Sequence, residues 1–346
     1  MVYKGRGAIS NQNSRFDSFH SEWDEDCQRP APKTIFYRES AKSIVTKNQS
    51  PDVPFDFSIN PYRGCEHGCV YCFARPNHAY VDLSPGLDFE TKIFIKENAA
   101  ECLERAFQRR GYKPVPITLG TATDPYQPIE REKQITRSLL ELMVGYKHPF
   151  SLITKSALVC RDADLLQQAA EMGLAKVMVS VTTLSNELKS RLEPRTASGE
   201  ARLRAIEMLS GKGIPVGVLM APLIPWINDH ELEEVVSRSA KAGAESANFI
   251  FLRLPLEVAP LFQEWLQNHY PDRAERVLNS IRHSRGGKLY EARFGERMRG
   301  RGVIAELLSS RFRKACLRSA IQYGGSRSLD QSQFSLPCKN NQLALF

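Results

Sequence analysis

No stretch of this sequence approaches the run of about 18 consecutive apolar residues that a membrane-spanning helix needs. The longest apolar segment, residues 216–227, is broken by Pro222 and Pro225. The opening Met1-Val-Tyr-Lys-Gly-Arg lacks the apolar centre of a secretory signal, so the chain is read as cytoplasmic and free of the membrane. No internal repeat recurs, which argues against a solenoid or propeller. What is present is ordinary for a globular protein: 42% hydrophobic and 25% charged residues, which excludes a disordered or fibrous chain. With 346 residues it holds one large domain with additions, or two domains.

Acidic residues are scarce in one region. Between Arg273 and Arg327 there are 14 Lys and Arg against 4 Asp and Glu, whereas the whole chain carries only +8, so the basic character is a C-terminal property. Most of these cations are arginines, including Arg293, Arg297, Arg299, Arg301, Arg311, Arg313 and Arg318. Clustered guanidinium groups present fork-shaped donors that suit phosphate, which makes DNA the expected partner. The alternative is a solvated basic face that meets acidic partners elsewhere in the fold.

Residues 1–54 show no sustained hydrophobic period and read as an extended arm. From Phe55, β-rich runs alternate with helix-like stretches. The runs are Phe57–Ile59, Pro116–Leu119, Phe150–Ile153, Lys176–Val181, Pro215–Met220 and Ala247–Leu252. The helical stretches are Ile129–Tyr146, Asp162–Met172, Gly199–Ser210, Asp229–Ala242 and Leu256–Gln267. Such alternation predicts βαβ units on a parallel sheet, with six strands over residues 55–270. Residues 271–336 read as a basic helical extension and 337–346 as a polar turn with an apolar tail.

The eight cysteines are Cys27, Cys65, Cys69, Cys72, Cys102, Cys160, Cys316 and Cys338. A disulfide framework does not suit a large chain in a reducing compartment. Three of them crowd into Asn60-Pro-Tyr-Arg-Gly-Cys65-Glu-His-Gly-Cys69-Val-Tyr-Cys72-Phe73, in a loop after the first barrel strand. Three thiolates from one loop can hold three irons of a 4Fe-4S cluster and leave the fourth open. A zinc site is the alternative; it normally takes four protein ligands, and His67, between the cysteines, is the available fourth.

This spacing, with Tyr71 before the third cysteine, resembles the signature of the radical S-adenosylmethionine (SAM) enzymes, and the likeness extends over roughly residues 55–267. Further segments resemble the branch that contains spore photoproduct lyase, and within it an uncharacterised bacterial group. They are Gly120-Thr-Ala-Thr-Asp-Pro-Tyr-Gln-Pro-Ile-Glu130, Leu152-Ile-Thr-Lys155, Val179-Ser-Val-Thr182, Glu193-Pro-Arg-Thr196 and Met220-Ala-Pro-Leu-Ile-Pro225. The resemblance implies a partial (β/α)6 barrel of the TIM type, a 4Fe-4S cluster on Cys65, Cys69 and Cys72, and SAM as cofactor. It further implies that Lys155 pairs with the SAM carboxylate, that Ser180 hydrogen-bonds the cofactor, and that Tyr71 and Thr123 lie beside it. Each site falls at the C-terminal end of a strand, where β/α folds build their sites. The implied chemistry is reductive cleavage of SAM to methionine and a 5′-deoxyadenosyl radical, with a reductant such as flavodoxin or ferredoxin.

Two positions depart from the lyase. Its hydrogen-returning cysteine aligns with Thr121, whose O–H bond is too strong for that role, and its tyrosine after the cluster motif is replaced by Phe73. The same thymine-dimer reversal is therefore not expected. Cys160 reads as a structural thiol or as a substitute hydrogen donor. The ending Gln342-Leu343-Ala-Leu345-Phe346 resembles the peptide by which bacterial replication and repair proteins dock on the sliding clamp. An apolar terminus of this kind is costly when exposed and suits extended-peptide docking, or packs on its own domain. The sequence thus reads as a radical SAM enzyme acting in DNA repair or modification. The alternatives are RNA or protein as substrate, or a DNA- or clamp-binding protein with a structural or redox-sensing cluster.

Overall fold

The computed structural model of the chain describes residues 3–17, 32–325 and 327–337. Gln342, Leu343, Leu345 and Phe346, with Cys27 and Cys338, lie outside the described residues. Four short strands come first: β1 (Ile35–Glu39), β2 (Val45–Lys47), β3 (Phe57–Ile59) and β4 (Tyr62–Arg63). After the cysteine segment follow α1 (Leu87–Thr91), β5 (Lys92–Lys96) and α2 (Ala99–Phe107). Alternation then begins with β6 (Ile117–Leu119), α3 (Glu130–Lys133), α4 (Ile135–Gly145), β7 (Phe150–Thr154), α5 (Ala163–Glu171) and β8 (Ala175–Ser180). It continues through α6 (Asn186–Leu192), α7 (Gly199–Gly211), β9 (Val216–Leu223), α8 (Leu232–Lys241) and β10 (Ser246–Phe251). The remaining elements are α9 (Val258–His269), α10 (Pro271–His283), α11 (Val303–Arg318) and β11 (Gln322–Tyr323).

The main sheet runs in the order β11-β10-β9-β8-β7-β6-β3-β2 and is parallel throughout except for β2, which pairs antiparallel with β3. Its six central strands with their crossover helices form the expected partial (β/α)6 barrel. All six predicted strands are present within a few residues at each end, because parallel strands covered on both faces read as near-continuous apolar runs. The crossover helices turn apolar stripes inward: α8 buries Leu232, Val235 and Val236, and α9 buries Val258, Leu261, Phe262, Trp265 and Leu266. The small sheet β1-β5-β4 and the helices α1, α2 and α6 were not read from the sequence.

The N-terminal arm before β1 is a series of turns and bends where it is described, and Tyr3, Ala8, Ile9 and Ser14 are buried. The C-terminal extension is likewise built into the molecule. Its strand β11 joins the sheet edge beside β10, and Ala274, Val277, Leu278 and Ile281 of α10 belong to a second apolar core. That core also takes in Leu188 and Leu192 of α6, Phe262 and Trp265 of α9, and Cys69, Val70 and Tyr71 of the cysteine loop. The extension therefore supports the loop from one side, while Arg273, Arg299, Arg313 and Arg318 are exposed. Ile281→Ala is expected to destabilise the protein by about 2–5 kcal/mol through the cavity it leaves. Leu317→Ala, at a residue 80% exposed on α11, is expected to stay within about 0.5 kcal/mol. Urea unfolding of the two variants checks this; equal losses would contradict the placement of α10 in the core.

Candidate functional site

The cysteine loop is held by backbone and buried charge from every side. Cys65 N donates to Phe89 O (2.9 Å), Val70 N to Leu192 O (3.2 Å) and Arg195 N to His67 O (3.2 Å). Glu66, inside the loop, accepts from Ile129 N (2.8 Å) and pairs with Arg195 (3.0 Å). Beneath it lies a fully buried ion pair, Arg75 with Glu90 at 2.5 Å. Arg75 also donates to Cys69 O, Pro85 O and Gly86 O, while Glu90 accepts from Gly7 N and Ala8 N of the N-terminal arm. A buried pair is tolerable only when its remaining donors and acceptors are met, and here they are. The approach of arm to loop is so close that a Cβ on Gly7 would stand 1.7 Å from Gly68 O; Gly68 itself sits at φ +68°.

All seven predicted cluster and cofactor residues line one cavity of about 440 Å³ at the C-terminal ends of the barrel strands: Cys65, Cys69, Cys72, Tyr71, Thr123, Lys155 and Ser180. The three thiols are free, and burial pushes the pKa of each upward. Ser180 ends β8, is 1% exposed, and its hydroxyl has no hydrogen-bond partner. Lys155 follows β7 and carries its ammonium 5.9 Å from the centroid of the Tyr71 ring. The Thr123 hydroxyl donates to Tyr62 O (2.9 Å), and the Tyr71 hydroxyl donates to Glu193, so these two present ring, methyl or backbone to the cavity. Thr121 and Phe73 also line it, whereas Cys160 does not.

Three residues act here without a role having been read from the sequence. Asn60 accepts from Ala122 N (2.8 Å) and Thr123 N (3.3 Å) and donates to Thr121, so it sets the loop after β6 against the cysteine segment. Glu193 and Arg202 form a second buried pair, and Arg202 also donates to Ser180 O (2.9 Å) and Thr196 (2.6 Å). Glu193 stood in a quoted motif, but nothing in the spacing connects it to Arg202. Asp124 accepts from the Thr154 hydroxyl (2.7 Å), Lys155 N (2.7 Å) and Tyr126 N (2.9 Å). It also faces His67 at 3.4 Å.

Burial alone would raise the pKa of Asp124. His67 and the donors from Lys155 and Thr154 outweigh it and hold the group at about 2. For Glu193, burial is likewise outweighed, chiefly by Arg202 and Lys155, and the group is held at about 2. Depressed folded values mean that both carboxylates contribute stability that is full above their ordinary values of 3.8 and 4.5 and is lost as pH falls through about 2. The urea midpoint is expected to fall between those limits, and Asp124→Asn, which cannot titrate there, to show a shallower fall. Identical slopes for variant and parent would contradict this assignment.

Comparison with known proteins bears on the family and the fold. A family model described as the radical SAM superfamily matches residues 59–238. An uncharacterised protein of Mycobacterium tuberculosis is 33% identical over 244 residues, covering 70% of this chain and 72% of that protein. One from Methanocaldococcus jannaschii is 26% identical over 239 residues, covering 69% and 85%. Among solved structures, spore photoproduct lyase complexed with dinucleoside spore photoproduct shares the fold at a TM-score of 0.59 and 16% identity, covering 83% of this chain and 80% of that one. A variant of that lyase, with bound AdoMet and the dinucleoside, has the same TM-score. With the cysteine loop, the strand-end residues and the partial barrel in one arrangement, the chain belongs to the radical SAM superfamily and is an enzyme.

Proposed function

We propose that Cys65, Cys69 and Cys72 hold a 4Fe-4S cluster, that SAM occupies the adjoining cavity, and that the enzyme acts on nucleic acid in repair or modification. One observation carries the cofactor reading: three free buried thiols share a cavity with an unpartnered buried hydroxyl, Ser180, and the ammonium of Lys155. A hydroxyl left unpaired in so buried a place costs about 1–3 kcal/mol, which a bound ligand recovers. Buried thiols with raised pKa values become thiolates only when a cation neutralises them, which fits iron ligation. When bound, the reduced cluster and SAM supply an electron and a carbon-centred radical that abstracts a hydrogen atom. Lys155 offers its charge to a carboxylate, Ser180 offers a hydrogen bond, and Thr123 and Tyr71 shape the wall.

Apart from the three motif cysteines, no thiol lines the cavity among the described residues, and the one phenol there, Tyr71, is engaged with Glu193. The hydrogen-return chemistry of a protein thiol is therefore not part of this reading. Three features support nucleic acid: the fold shared with a lyase solved with a dinucleoside lesion, the arginine-rich extension, and the tail. Within the extension, Arg285, Arg297 and Arg311 are bound to carbonyls or carboxylates of the molecule. Arg273, Arg299, Arg313, Lys314 and Arg318 are exposed with no carboxylate within 4 Å among the described residues. These outward cations are the ones free to meet phosphate. We place the enzyme in the cytoplasm, with flavodoxin or ferredoxin as reductant; among the described residues no helix is long and apolar enough to cross a membrane.

Anaerobic reconstitution is expected to give about four irons per chain. Ala in place of Cys65, Cys69 or Cys72 should abolish the cluster. With dithionite and SAM the protein should release 5′-deoxyadenosine, and Lys155→Ala should weaken SAM binding by about 1.5–3 kcal/mol. A full cluster in the triple Ala variant, or native protein that binds only zinc, would overturn the reading. For the tail, a peptide of the last residues including Gln342, Leu343, Leu345 and Phe346 is expected to bind isolated sliding clamp in the micromolar range, about −8 kcal/mol. Calorimetry that shows no heat of binding would reject clamp docking.

A further inference from the structure

The wall of the cavity carries a charge that the cofactor reading leaves unused. Arg253 follows β10 and lines the cavity. Its Nε is buried without a hydrogen-bond partner, and its one side-chain hydrogen bond is a weak one to the Met298 sulfur at 3.4 Å. No carboxylate lies within ion-pair distance of it among the described residues. Asp52, whose charge it feels, is already taken by Gly295 N (2.6 Å) and by Arg297 Nε (2.5 Å). A second guanidinium feels its charge. Arg285, buried and donating to Phe251 O, Leu252 O and Glu296 O, is pushed down to about 10 by burial and then by Arg253. Two guanidinium groups that act on each other, neither in an ion pair among the described residues, favour an anion at this wall.

The guanidinium of Arg253 also lies 5.1 Å from the centroid of the Phe73 ring. Phe73 directly follows the third cysteine, lines the same cavity, and is 46% exposed, unusual for a phenyl group. A phenyl ring has no polar atom to offer; in an open cavity wall it can act only by apolar contact or by stacking on a planar group. An unpaired guanidinium beside an exposed ring is the arrangement that takes a phosphate on one and a base on the other.

We propose that Arg253 and Phe73 form a substrate subsite for a phosphodiester and its adjoining nucleobase. The guanidinium binds the phosphate through its terminal nitrogens, which meet no oxygen acceptor among the described residues, and the ring stacks on the base. This rests on the nucleic-acid reading given above and deepens it. It places the nucleotide to be modified beside the cysteine loop, while the exposed arginines of the extension hold the flanking strand. The distinction is between one phosphate bound inside the cavity and several bound outside it.

The test uses the full chain with its cluster reconstituted. The probes are the dinucleoside monophosphate TpT, unlinked thymidine, and a longer oligothymidylate. Wild type should bind TpT more tightly than thymidine, and Arg253→Gln should weaken TpT by about tenfold or more, the loss of a charge-assisted hydrogen bond. Arg253→Lys should fall between the two, and Phe73→Leu should weaken TpT and thymidine alike. Iron content and SAM affinity, measured on the same samples, report whether each variant retains its fold. Arg313→Gln, on the exposed face of α11, should weaken the long oligonucleotide but not TpT. TpT bound equally by wild type and Arg253→Gln would overturn the subsite. If the long oligonucleotide still binds through Arg313 in that case, the nucleic-acid reading stands without it. Wild type that binds none of the probes would reject both.

Discussion

The arrangement of the whole site depends on the Glu193 carboxylate. It accepts the Tyr71 hydroxyl from the cysteine loop and the guanidinium of Arg202 from α7, and that same guanidinium donates to Ser180 O at the end of β8. One buried carboxylate thus ties the loop that carries the thiols to the strand that carries the unpartnered hydroxyl. Removing either member would leave a charge stranded in the core, at a cost of about 3–5 kcal/mol. Arg75 and Glu90 perform the matching task below the loop and extend it to the N-terminal arm. The barrel supplies the positions, and these two pairs fix the loop relative to them.

The cavity is polarised by what these pairs leave over. The carboxylates at its base are matched: Asp124 by backbone donors and His67, Glu193 by Arg202. The cations at its walls are not: Lys155 on one side and Arg253 on another have no ion-pair partner among the described residues. A cleft with unpaired cations and low-dielectric walls attracts anions of the size of a cofactor carboxylate or a single phosphate. The same logic sorts the C-terminal extension. Its inward face, Val277, Leu278 and Ile281 on α10, belongs to the core beneath the loop, while Arg313, Lys314 and Arg318 remain outward on α11.

Much of this was legible in the sequence because two strong signals coincide. Runs such as Phe150–Ile153 and Lys176–Val181 are apolar on both faces, as only buried parallel strands are, and the cysteine spacing places three thiols on one short loop. The strand-end residues Lys155 and Ser180 were legible only through the resemblance of residues 152–155 and 179–182 to the lyase branch. The small sheet was not read: in Lys92-Ile-Phe-Ile-Lys96 burial alternates with period two, but the three central residues are all apolar, so the sequence shows no alternation. That strand is five residues long and adjoins a five-residue helix, so neither period lasts long enough to be distinguished. The buried pairs were invisible for a different reason. Arg75 and Glu90, and Glu193 and Arg202, meet only through the fold, and a charged residue in a sequence reads as surface until its partner is known. Asn60 shows the same limit: its side chain serves backbone donors of the loop after β6, which no side-chain pattern announces.

The proposed cluster on the cysteine loop would leave one iron accessible to a ligand lying against Lys155 and Ser180. Electron paramagnetic resonance of the dithionite-reduced protein, recorded before and after addition of SAM, tests this without any substrate. The account predicts that SAM shifts the spectrum of the reduced cluster, and that the shift is lost in Ser180→Val combined with Lys155→Ala while the cluster itself persists. A reduced cluster whose spectrum SAM leaves unchanged in the parent protein would contradict it.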